Sequence, residues 1–194
     1  DAYHSLGVVP FSLDGMEQAF VLGGGYKYMQ LGEGNCFMRV PEGCEMRPVI
    51  TGWFSEFAEL ADAKTEGEVR YGKGFMRFAG STFDPTSQYR GAAVLDFFAE
   101  QGLSTELLRS VSQHQVGLLI ETLEGLDLDP AMVSVDAGVP LESRAGFLAV
   151  RAPDAEALSV ALREHGVSTD ARGDRLRFGP APYLSDAQVA QAME

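Results

Sequence analysis

After the stretch "STFDPTS", residues 81–87, the spacing of apolar side chains changes, and that change divides the chain into two kinds of structure. Downstream, "SQYRGAAVLDFFAEQG" and "STELLRSVSQHQVGLLIETLEGL" place apolar residues three and four apart, with Ser or Thr starts and Gly stops. This is the signature of two amphipathic helices in series. Next, "GFLAVRA", "DAEALSVALREHG", "VSTDARGDRLRFGP" and "SDAQVAQAME" read as strand, helix, strand pair and helix, which together make a compact α+β unit. Upstream, "AFVLGGG", "CFMRV" and "PVITGWF" are short strand-like runs punctuated by Gly and Pro, with few helices. A domain boundary is therefore expected near residue 86, separating 1–85 from 86–194.

Composition narrows the possible partners. At 194 residues and 45% hydrophobic content the chain can bury a core. A formal net charge of -13 and a pI near 4.6 argue against binding a phosphate backbone, which demands clustered Lys and Arg. The expected partner is a small molecule or another protein. No apolar run reaches the roughly 18 to 20 residues of a membrane span and no basic, apolar leader opens the chain, so a cytoplasmic location is expected. Cys36 and Cys44, with His4, His114 and His165 scattered, give neither a disulfide framework nor metal-ligand spacing. The chain opens at Asp1 inside what reads as a strand end and its loop, and is expected to be a piece of something longer.

Within "LGGGYKYMQLGEGN", residues 22–35, Lys27 stands between two tyrosines and follows three glycines. The chain holds three lysines, Lys27, Lys64 and Lys73, against twelve arginines, so a lysine here is an unusual choice. Aromatic rings and glycines strip an ammonium of part of its hydration, which favours the neutral amine. A neutral amine can form a Schiff base with an aldehyde cofactor, and glycines would let a flat ring approach the backbone. The alternative is a surface lysine in a Gly-rich hairpin with tyrosines packed beneath it. A phosphate loop does not fit, because "GGGYK" lacks the required spacing and the following Ser or Thr.

Asp1 and His4 in "DAYHSLGVVP", taken with Tyr26-Lys27, resemble the fold-type I pyridoxal-phosphate enzymes of the class V aminotransferase superfamily, and kynureninase most closely. The resemblance implies that Asp1 pairs with the protonated pyridine nitrogen, that His4 lies by the ring hydroxyl, and that Lys27 holds the cofactor. Tyr26 would lie near the cofactor phosphate or carry a proton. A carboxylate about 4 Å from a pyridinium is worth about 4 kcal/mol at an effective dielectric near 20. "TGWF" resembles the family's tryptophan motif, and "RFAGST" the segment after it, which implies that Trp53 and Thr82 line a pocket for cofactor and aromatic substrate. Trp53 could equally be plain core. "RLRFGPAPYLS" resembles the family's arginine followed by a Pro-x-Pro turn, so that Arg177 would clamp the substrate α-carboxylate. Its alternative is an edge-strand arginine in a surface salt bridge.

The likeness runs over nearly the whole chain. It implies an α/β fold: the end of a large cofactor domain (1–85) plus a small α+β C-terminal domain (86–194). It implies pyridoxal 5'-phosphate as cofactor, an amino-acid substrate and a homodimer. An N-terminal half of the same enzyme would supply the phosphate-binding loop and a ring-stacking aromatic. Where the family usually shows a Gly-Gly-Pro-Gly turn, this chain reads Leu31, Gly32, Glu33, Gly34, Asn35, and Ser55-Glu56 stand where Gly-His is common. Three functions follow as expectations: hydrolysis of kynurenine to anthranilate and alanine; an aminotransferase or cysteine-desulfurase-like lyase; or a non-catalytic remnant or regulatory module.

Overall fold

The computed structural model of the chain describes residues 1–63 and 65–193, and Lys64 lies outside the described residues. Among the described residues are six strands, β1 (Val21–Gly24), β2 (Cys36–Arg39), β3 (Ser134–Val135), β4 (Leu148–Arg151), β5 (Asp170–Arg172) and β6 (Arg175–Phe178). The α-helices are α1 (Thr86–Glu100), α2 (Thr105–Gly125), α3 (Ala155–Glu164) and α4 (Asp186–Gln191). Two compact units form: residues 1–3 with 11–97, and residues 4–10 with Phe98 onward. The fold change expected at residue 86 coincides with the start of α1, while the division between the units falls inside that helix.

In the second unit, β3, β4, β6 and β5 lie side by side in that order, every neighbouring pair antiparallel. Alternation along the strands sorts the two faces. Leu148 and Val150 of β4 and Leu176 and Phe178 of β6 are buried together with Val116, Leu119 and Leu123 of α2. The odd-facing residues Arg151, Arg175 and Arg172 stand in register across the other face, where Asp174 takes ion pairs from Arg151 and Arg175. Like charges facing across strands repel, and the interleaved aspartate offsets this. β5 and β6 are joined by the two-residue turn Gly173-Asp174, in which Gly173 takes a φ of +59° that a side chain would disfavour.

Helix ends in this unit are satisfied by the residues that sequence rules select. Ser104 caps α2 by accepting from the Leu107 N–H, and the Ser104 hydroxyl together with the backbone N–H of Glu106 holds the Glu106 carboxyl below its usual range, the backbone contributing more. Ser185 and Gln188 form a capping box at α4. Gln115, buried in α2, donates from Nε2 to the carbonyls of Ala181 and Leu184 and so fixes the Pro-x-Pro segment that follows β6.

The first unit is built differently. β1 and β2 pair antiparallel from Val21 opposite Arg39 to Gly24 opposite Cys36. At the head of α1, the Asp84 carboxylate accepts from both the hydroxyl and the N–H of Thr86, which hold it below its usual range. From α1, Arg90 donates to the carbonyls of Leu31 and Glu33, and Asn35 Nδ2 donates to Ser87 O, tying the β1–β2 connection to the helix. "PVITGWF" is not a strand. Residues Trp53–Glu59 wind into 3-10 turns, because the chain bends away once the Gly52 and Phe54 N–H groups have donated to the carbonyls of Ala79 and Gly80. That approach depends on glycine, since a Cβ at Gly52 would stand 2.2 Å from the carbonyl carbon of Gly80. No helix among the described residues is long and apolar enough to cross a membrane.

Candidate active site

The lysine loop follows directly from the hairpin. β1 ends at Gly24, the Gly25 N–H donates to Asn35 O, and the Leu31 N–H donates back to Gly25 O, closing residues 25–31 into a tight loop. Within it the Gln30 N–H donates to Lys27 O and Gln30 takes a φ of 53°. Lys27 is thereby carried at the turn of a short, internally hydrogen-bonded loop. Its side chain is half-buried, with Nζ 5.4 Å from the centroid of the Tyr26 ring.

Residues 1–3 are laid along the same strand. The buried Ala2 donates its N–H to Leu22 O at 2.8 Å, and the Asp1 carboxylate accepts from the Tyr3 N–H at 2.8 Å. The Tyr3 ring then meets the Tyr26 ring, centroids 5.6 Å apart. Residues 1–3 are therefore tied to β1 at Leu22, and the Tyr3 ring packs on Tyr26, next to Lys27. The glycines serve this packing in a way the sequence did not disclose: a Cβ on Gly24 would come within 2.6 Å of Tyr3 and 2.9 Å of Tyr26, and one on Gly25 within 2.4 Å of Leu31. The side chains that approach the bare backbone are the protein's own. Tyr3 was not among the expected site residues. Its hydroxyl hydrogen-bonds the Cys36 thiol, which with partial desolvation pushes its ionisation above the usual tyrosine value.

Trp53 and Thr82 occupy other segments of the first unit. Trp53 is no core residue: it is 43% exposed and stacks against Phe54 at 4.2 Å and Phe57 at 5.4 Å. Thr82 lies exposed in the extended segment leading to α1.

His4 and Arg177 belong to the second unit, so the three-residue spacing of Asp1 and His4 in sequence does not place them in one unit. Arg177 sits on β6, an inner strand, with Ala149 of β4 and Asp170 of β5 as its cross-strand neighbours. It is therefore not an edge-strand arginine, although its Nη2 does pair with the Asp170 carboxylate. Its Cζ lies 5.6 Å from the centroid of Phe147, and the His4 ring meets Phe147 edge-on at the same centroid separation, 5.6 Å. Phe147 and Asp170 were missed from sequence. Register alone pairs Asp170 with Arg177, and Phe147 reads simply as the first apolar residue of a strand.

The chemistry of the donor set suits a pyridine aldehyde: the Asp1 carboxylate for a protonated ring nitrogen, and the Lys27 amine, beside the Tyr26 phenol, for an aldehyde. Residues 108–194 match the model of the kynureninase C-terminal domain. The chain is similar in sequence to kynureninases. It is 29% identical over 201 residues to the kynureninase of Pseudomonas fluorescens, covering 100% of this chain and 46% of the relative. With the kynureninase of Deinococcus radiodurans it shares 30% over 200 residues, covering 100% of this chain and 47% of the relative. The chain thus spans about half the length of the curated relatives it matches.

Two solved structures share the fold. A NifS-like protein superimposes with a TM-score of 0.64 at 18% identity, covering 100% of this chain and 49% of the other. The complex of a cystine C-S lyase with its reaction product cysteine persulfide gives 0.70 at 18% identity, covering 97% and 49%. At these identities the likeness concerns fold alone. The fold is thus shared with about half the length of each of these two proteins.

Proposed function

We propose that the chain is the C-terminal half of a pyridoxal-phosphate enzyme that hydrolyses kynurenine, or a close aryl-keto amino acid, to an anthranilate and alanine. In this reading residues 1–85 complete the cofactor domain and 86–194 form the small domain of a cytoplasmic homodimer. The observation that carries the reading is the packing of Tyr3, two residues after Asp1, on Tyr26, next to Lys27, in a chain whose whole length aligns with kynureninases.

When bound, the cofactor supplies an electron sink for negative charge at the substrate α-carbon. The residues divide the remaining work. Asp1 would hold the cofactor's ring nitrogen protonated through its carboxylate, and His4 would hold its ring hydroxyl. Lys27 takes the proton from the substrate α-carbon, and Tyr26 relays a proton through its phenol. Arg177 receives the α-carboxylate on its paired N–H groups. Trp53 offers an aromatic face to the substrate ring and Thr82 a hydroxyl beside it. Water then adds to the side-chain carbonyl, the bond between the β- and γ-carbons breaks, and alanine and the anthranilate leave.

The experiment is a turnover assay on the complete enzyme with kynurenine and 3-hydroxykynurenine, following anthranilate fluorescence and alanine release. Products are expected with no keto acid added. Turnover that depends on a keto-acid acceptor makes the enzyme an aminotransferase, sulfur release from cysteine makes it a desulfurase-like lyase, and neither turnover nor cofactor uptake makes it a remnant.

A further inference from the structure

The guanidinium of Arg177 is held by two residues outside the set proposed to bind cofactor or substrate. The register of β5 on β6 sets Asp170 directly opposite Arg177, and Nη2 donates to the Asp170 carboxylate. Opposite charges facing across an antiparallel pair reinforce each other. The guanidinium carbon, Cζ, lies 5.6 Å from the Phe147 ring centroid, within cation–π range. On its other side the cross-strand neighbour is Ala149, too small to crowd the group. Asp170 is itself braced, since Arg172 Nε stands 3.4 Å from the same carboxylate oxygen.

Burial separates Arg177 from the other arginines on this face. Its side chain is 27% exposed, whereas those of Arg151, Arg175 and Arg172 are 60%, 46% and 73% exposed. A long, solvated arginine samples many rotamers and must be ordered at every binding event; one fixed beforehand loses less freedom when its ligand arrives. Nη2 carries two N–H groups. With one directed to Asp170, the second forms an edge with a neighbouring nitrogen, and two parallel donors are what a carboxylate takes in a bidentate pair.

We infer that Asp170 and Phe147 are positioning residues, which hold Arg177 in one orientation and present its remaining two-donor edge to the carboxylate of an amino-acid substrate. The inference rests on the proposed role of Arg177 as receptor of that carboxylate. Asp170 fixes the direction of the fork and Phe147 fixes its plane. The aspartate is a partner of the guanidinium and not a competitor for the ligand.

The test uses steady-state kinetics of the complete enzyme with its amino-acid substrate, alongside inhibition by the matched amine that lacks the α-carboxylate. Arg177→Ala should raise KM for the amino acid on the order of a hundredfold and leave inhibition by the amine unchanged. An unchanged KM in that variant removes Arg177 from the site and ends the underlying reading. If Arg177→Ala behaves as expected, Asp170→Asn and Phe147→Leu should each raise KM by roughly three- to tenfold. In both, kcat should stay within about twofold, amine inhibition should not change, and Asp170→Glu should recover part of the loss. An unaltered KM in Asp170→Asn and Phe147→Leu overturns the inference while sparing the role of Arg177. A lower KM in Asp170→Asn makes the aspartate a competitor, and an equal loss of amine binding makes the effect general structural damage; either result also overturns it. Should either variant fail to accumulate, Asp170→Glu and Phe147→Tyr are scored by the same split between the amino acid and the amine.

Discussion

Leu148, Val150 and Ala152 of the second unit are wholly buried, while Val49 and Ile50 of the first stand 98% and 91% exposed. The contrast extends across each unit. The contiguous apolar core, from Val116 to Met193, lies entirely within the second. In the first, Ala2, Val21 and Leu31 are the buried hydrophobic residues among those described, and Phe37, Phe57, Phe75 and Phe83 are exposed. The second unit satisfies the alternation of its strands and the stripes of its helices with its own residues. The first is held by hydrogen bonds between loops and by glycines that admit tyrosine rings or backbone, and it leaves aromatic surface uncovered. Apolar surface of this kind marks a face meant to be covered, which accords with the proposal that an N-terminal half completes this domain. The two units also divide the proposed site residues: Lys27 rides on a loop of the unit with little core, and Arg177 on an inner strand of the unit with much.

The largest effect is expected from separating the units. Residues 98–194, which carry the second unit except its residues 4–10, should alone unfold in one cooperative transition, and residues 1–97 alone should bind a hydrophobic dye and melt without a defined transition. A sharp melt for 1–97 would break the comparison. At the level of single side chains, Leu148→Ala should cost about 2 to 5 kcal/mol by denaturant unfolding, because a fully buried side chain leaves a cavity. Ile50→Ala should stay within about 0.5 kcal/mol in the same assay. Similar costs at the two positions would mean that the first unit has a core of its own.

This asymmetry also governed how much could be read from the sequence. The helices α2 to α4 and the strands β4 to β6 were legible because their apolar spacing is set by burial within the second unit itself, whereas α1 was legible from its spacing although Gly91 is its buried residue. "AFVLGGG" and "CFMRV" were recognisable as strands, but "PVITGWF" was not distinguishable from one. Its apolar residues serve exposed 3-10 turns, and its course is set by a close approach of Gly52 to Gly80 that no periodicity reveals. β3 is two residues long and leaves no pattern. Among candidate site residues, Lys27 and Arg177 stood out by rarity or by a flanking turn. Tyr3, Phe147 and Asp170 did not, because contacts across strands or between distant segments define them.

Glycine substitution sharpens the account of the first unit with a smaller effect. Gly24→Ala should destabilise the protein by roughly 1 to 3 kcal/mol, through the clash with Tyr3 and Tyr26, and Tyr3→Phe should not relieve it, since ring atoms make the contact. The smallest effect concerns the Tyr3 hydroxyl. Its ionisation is raised in the folded state, so its contribution to stability is complete below the ordinary tyrosine value near 10 and is lost as the pH rises through the folded value. Cys36→Ala should return the titration, read by tyrosinate absorbance against a Tyr3→Phe control, toward the ordinary value. No movement would detach Tyr3 from Cys36.

The central claim is that Lys27, at the end of β1, is the residue that holds the cofactor. Pyridoxal phosphate is added to the complete enzyme, the adduct is fixed by borohydride, and the labelled peptide is identified by mass spectrometry. The account predicts a pyridoxyl group on Lys27 and on neither Lys64 nor Lys73. A label on Lys64 or Lys73 with Lys27 unmodified would contradict it.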